Sequence, residues 1–184
     1  MKQVVVKFGL IAGGILSVFM LVTYTLVERI GFDHGEVIGY STMVLAFLMV
    51  YFGIRSYRDN VAGGVISYGR GFLVGICITV IASACYVATW EFVYYRFAPD
   101  FADKYAAHAV EKARASGATE AQIAEQTKQM EEFKVMYRKP LYNVAMTFVE
   151  PFPVGLVFTL VCAGILRRRR DGLAEGAVLR PDVA

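Results

Sequence analysis

GFLVGICITVIASACYVATW, residues 71–90, contains no charged side chain. As a helix rising about 1.5 Å per residue it crosses the ~30 Å hydrocarbon layer of a bilayer. Comparable runs cover residues 4–27, 37–54 and 144–166, so the chain reads as an all-α, four-span transmembrane bundle. Lipid offers no water to backbone amides and carbonyls, so each run must satisfy its own hydrogen bonds as a helix and then pack on the others.

Composition agrees. The 184 residues are 57% hydrophobic with a net charge of +3, too apolar to clothe a water-soluble core and long enough for one membrane domain with an appendage. The basic residues gather at membrane borders, which argues for topology and against nucleic-acid binding. Cys77, Cys85 and Cys162 all fall inside predicted spans at no metal-ligand spacing. No metal and no cofactor are expected. The first apolar run is longer than an export-signal core, and TYTLVE at 23–28 has no small-x-small cleavage pattern, so residues 4–27 are expected to remain as a span.

Basic residues in short loops resist translocation. Lys2 and Lys7, the group Arg55, Arg58 and Arg70, and the run Arg167 to Arg170 therefore belong on one side, with both termini cytoplasmic in a bacterial inner membrane and a cytoplasmic tail over 167–184. The acidic 28–36 loop and the long third connection fall outside. Within that connection, residues 100–139 change to Ala, Glu, Lys and Gln, strong helix formers, and predict a two-helix extracytoplasmic hairpin. Asp100 is the expected cap of the first helix, Gly117 its stop, and Thr119 with Gln122 a capping box for the second. Ala102, Ala106, Ala109 and Ala113 form a small face suited to Ile123, Met130, Phe133 and Tyr137. The hairpin is expected to join the spans as a solvated connector, to dock a membrane or periplasmic protein or a second copy, or to recline on the bilayer.

Small residues recur every four positions at Gly9, Gly13 and Ser17, at Gly71, Gly75, Thr79 and Ser83, and at Gly155, Thr159 and Ala163. A looser set is Gly39, Ala46 and Gly53. In lipid such stripes mark close helix contacts, within the bundle or between two copies.

The least ordinary intramembrane segment is VEPFPVG, residues 149–155. Pro151 and Pro153 each remove an amide donor and should kink the fourth span, freeing the carbonyls of Thr147 and Val149. Glu150 beside them is a candidate ion or proton contact, or a structural carboxylate paired with an arginine such as Arg96. Glu91 and Glu28 sit near the same membrane boundary and widen that candidate site. Tyr24, Trp90, Tyr94, Tyr95 and Tyr142 suit an interfacial aromatic belt. His34 and His108 stand isolated. At the opposite boundary Arg55, Arg58 and Arg70 flank the Gly63-Gly64 turn, as topogenic charges or as a headgroup site. No serine elbow, HExxH, kinase set or dinucleotide fingerprint is present, so no catalytic residues are assigned.

FGIRSYRDN (52–60), GGVISYGRGF (63–72), MYRKPLYN (136–143) and EPFPVGL (150–156) together resemble the bacterial membrane family catalogued as domain of unknown function 4199. The resemblance covers nearly the whole chain and implies four spans with a helical insertion before the last. It assigns no chemistry. The leading expectation is a non-enzymatic structural or interaction protein in the lipid bilayer. A small ion- or proton-coupled carrier using Glu150, or a membrane enzyme acting on lipid headgroups, are the alternatives.

Overall fold

The structure, a computed structural model, describes residues 1–168, and for residues 27–30 the backbone alone. It is all-α: α1 (Lys2–Ile30), α2 (Phe32–Asn60), α3 (Tyr68–Arg96), α4 (Phe101–Ala115), α5 (Glu120–Tyr137), α6 (Pro140–Val149) and α7 (Pro151–Leu166). Four stretches are long and apolar enough to cross a membrane: Lys2–Leu26, Phe32–Asn60, Tyr68–Arg96 and Pro140–Leu166, the last comprising α6 and α7. The 100–139 insertion is the α4–α5 hairpin. Of the expected tail over 167–184, residues 169–184, with Arg169 and Arg170, lie outside the described residues, as does the side chain of Glu28.

The helices outrun their apolar cores. The 29 residues of α3 rise about 43 Å, beyond ~30 Å of hydrocarbon, so their ends stand among headgroups. The acidic stretch expected as a loop over 28–36 is almost wholly helical. Gly31, at φ 78°, turns the chain by itself, and Asp33 occupies the first turn of α2. A left-handed φ suits glycine, and an acidic first turn complements the helix dipole.

Two registers organise the spans. α1 and α3 run in parallel: a Cβ on Gly9 would strike Ile81 and one on Gly13 would strike Cys85, while Thr89 donates to Ser17 at 2.7 Å. α3 and α7 run antiparallel, each step of four along one answered by four back on the other, through Gly71 with Ala163, Gly75 with Thr159 and Thr79 with Gly155. The small-residue stripes therefore work inside the bundle. α2 closes a ring against α1 and α7 and fills its centre with Met43, Phe47, Val50 and Ile54, which are buried against Val74 and Ile78 of α3.

The hairpin follows its local signals with one exception. Thr119 and Gln122 form the capping box, and Gly117 turns at φ 81°. Asp100 makes no capping hydrogen bond. Its carboxylate instead reaches Lys104, one turn along, at 3.1 Å, and a carboxylate aimed at the helix flank cannot also accept from the first-turn amides.

Candidate functional site at the hairpin end of the bundle

The fourth span breaks where the prolines require. α6 ends at Val149 and α7 begins at Pro151, while Glu150 keeps helical angles (φ −68°, ψ −58°). The interruption is thus a loss of amide donors toward Thr147 and Val149 and not a reversal of the chain. Tyr86 of α3 donates its hydroxyl to Glu150 Oε2 at 3.1 Å. The expected arginine pairing is absent because Arg96 lies ten residues beyond Tyr86, about 15 Å further along α3. Glu36 and Tyr40 of α2 and Tyr137 of α5 also lie within electrostatic range of Glu150.

Glu91 is not brought to this point. Five residues past Tyr86 it stands about 140° round the helix, and one of its carboxylate oxygens is buried without a hydrogen-bond partner. Among the described residues no three His, Cys, Asp or Glu side chains gather as a metal site.

Sequence reasoning missed a buried polar chain beside the break. Trp90 Nε1 donates to the Tyr137 hydroxyl at 2.8 Å, Thr147 acts electrostatically on that hydroxyl, and Thr147 donates to Asn143 Oδ1 at 3.3 Å. Asn143 is wholly buried. Burial pushes the Tyr137 phenol above its usual range, so it stays protonated and available as a donor. The legible signal was an asparagine and a threonine one turn apart in the otherwise apolar LYNVAMTFV, a spacing that aligns them on one helix face.

Aromatic rings seat the hairpin on this chain. Trp90 meets Phe101 edge-on at 4.7 Å, and Tyr137 lies 5.6 Å from Tyr94 and 5.0 Å from Phe133. Trp90 and Tyr94 are consequently buried beneath the hairpin and do not form the expected lipid-facing belt, whereas Tyr95 remains exposed. Tyr24 instead ties α1 to α3 by donating to the Phe97 carbonyl at 2.7 Å.

A second contact holds the flank of the hairpin. Asp33 accepts from Lys112 at 2.6 Å and meets His108 at 3.4 Å, and the Phe32 ring lies 5.1 Å from the His108 imidazole. His108 is therefore not isolated. The hydrogen bond to Asp33 raises the pKa of the Lys112 ammonium. Within the hairpin Asp103 binds Arg138 at 3.1 Å and Lys134 at 3.5 Å.

At the other end of the bundle, Arg58 and Arg55 both engage Asp59, at 2.7 and 3.6 Å. Gly63 (φ 66°) and Gly64 (φ 85°) turn the chain toward Ser67, which caps α3, and Arg70 stays exposed.

These features define a multi-pass helical membrane protein with a docked helical insertion. The profile of the family described as "Protein of unknown function (DUF4199)" matches residues 7–168, and the chain belongs to that bacterial family. No curated protein and no solved structure matches the chain.

Proposed function

We propose that this protein is a non-enzymatic membrane component that holds the α4–α5 hairpin as an interaction arm for a membrane or periplasmic protein or for a second copy of itself. The supporting observation is the two-point attachment of the hairpin, through the Trp90–Tyr137 cluster at its base and through Asp33 with Lys112 and His108 along its flank. An arm held at two points keeps a fixed direction. It offers partners the shallow recess lined by Glu131, Glu132, Val135 and Met136, with Val135 63% exposed. In this reading the arm stands outside a bacterial inner membrane and both termini are cytoplasmic, as the basic residues at the opposite end of the bundle favour. A photo-crosslinker placed at Val135 in cells is expected to capture a discrete partner or a second copy. Capture of nothing, with the protein correctly inserted, removes the proposal.

One observation favours a second reading, a proton- or ion-coupled carrier: Glu150 sits at the proline break in a hydrogen bond with Tyr86. The arm proposal predicts that proteoliposomes of native protein pass no ions under a proton or sodium gradient. Flux that Glu150→Gln abolishes would replace it with the carrier.

A further inference from the structure

The Gly63-Gly64 turn does not end as a free loop. Ile66 N–H donates to the Arg168 carbonyl at 3.1 Å and Arg168 N–H returns the bond to Ile66 at 2.9 Å, an isolated antiparallel bridge between the α2–α3 turn and the end of α7. In an antiparallel pair the neighbouring residues are also opposed, so Arg167 stands across from Ser67. Ser67 caps α3 by accepting from the Arg70 amide at 3.4 Å, and Arg70 lies within the first turn that follows. Two arginines distant in the sequence are thereby brought to one end of the α3–α7 pair, where a Cβ on Gly71 would meet Ala163.

Among the described residues their charges are uncompensated. Asp59 is engaged by Arg55 and Arg58, and Arg70, Arg167 and Arg168 have no carboxylate partner among the described residues. Residues 1–7, 55–70 and 167–168 carry seven basic side chains (Lys2, Lys7, Arg55, Arg58, Arg70, Arg167, Arg168) against the single carboxylate of Asp59. Guanidinium groups present forked donors that match phosphate oxygens, and this spot lies where α3 enters the bilayer, at headgroup depth. Tyr68, 42% exposed and two residues before Arg70, adds aromatic surface beside it.

We propose that Arg70 and Arg167, with Arg168 alongside, bind an anionic phosphate group, that of an acidic phospholipid or of a free phosphate. The site lies at the opposite end of the bundle from the hairpin and does not rest on the arm reading.

The full chain in detergent is melted with added dioleoylphosphatidylglycerol, with dioleoylphosphatidylcholine, and with inorganic phosphate. The acidic lipid is expected to raise the midpoint by several degrees, more than the zwitterionic lipid, with the gain shrinking in high salt. The double variant Arg70→Gln/Arg167→Gln is expected to melt like the native protein without lipid, because neither side chain has a hydrogen-bond or ion-pair partner among the described residues, and to forfeit most of the lipid response. Should it melt lower, Arg70→Lys/Arg167→Lys keeps the charge and loses the fork, and is expected to retain a weakened response. Stabilisation by inorganic phosphate equal to that by the acidic lipid identifies free phosphate as the ligand. Equal shifts from both lipids with none from phosphate, or a glutamine variant that keeps the full response, overturns the proposal.

Discussion

Leucine in place of Gly155 is expected to leave no native bundle. A Cβ there would stand 2.7 and 2.8 Å from ring carbons of Phe47 and closer still to the Thr79 methyl. Neither neighbour can retreat. Phe47 and Thr79 are wholly buried, and Thr79 is held by the Gly155 carbonyl at 3.3 Å and the Thr159 hydroxyl at 3.2 Å. Overpacking of a filled core costs about 1–3 kcal/mol, and a branched side chain at a helix crossing belongs at or above the upper end. Gly164 is the control, since a Cβ there meets nothing within 4 Å. Gly164→Leu should melt at or above the native temperature, helped by up to about 1 kcal/mol of helix propensity. Thermal unfolding of the two variants in detergent decides the matter; similar midpoints would show that the α3–α7 contact is not close-packed.

Tyr137→Ala is the second large effect, expected to release the hairpin while sparing the spans. Aromatic-to-alanine changes at buried sites cost about 3–5 kcal/mol. Here the loss also leaves Trp90 Nε1 without its acceptor, worth about 1–3 kcal/mol more. The rings around Tyr137 form a cluster separate from the one inside the membrane bundle, so the damage should stay local. Limited proteolysis is expected to cut near Gly117 in the variant under conditions that spare the native protein, with the spans intact. Tyr137→Phe keeps the ring and should show only the hydrogen-bond part of the loss. An alanine variant as protected as the native protein would mean that the hairpin is held elsewhere.

How much of this was legible follows from the range of each interaction. Spans announce themselves because lipid acts on every residue of a 20-residue stretch, as it does over 71–90. The capping box at Thr119 and the proline break at Glu150 are equally local. Asp100 misled because two local partners, the first-turn amides and Lys104, compete for one carboxylate, and composition does not say which wins. The small-residue stripes were visible, but their pairing was not, since Gly75 carries no trace of Thr159. Asp33 with Lys112 and Trp90 with Tyr137 are tertiary meetings, 79 and 47 residues apart along the chain. These contacts seat the hairpin on the bundle and remove two residues from the aromatic belt.

Regular spacing along the α3–α7 seam limits how the protein can move. Because small side chains recur every four residues on both helices, a slide that stops short of a full period, about 6 Å, drives Thr79 or Thr159 into a neighbour. The seam behaves as a ratchet with coarse teeth. Above the prolines that toothing ends: α6 packs on α3 and is joined at its far end to α5, so the hairpin is linked to Glu150 along the chain through α6 as well as to α2 and α3 through its own side chains.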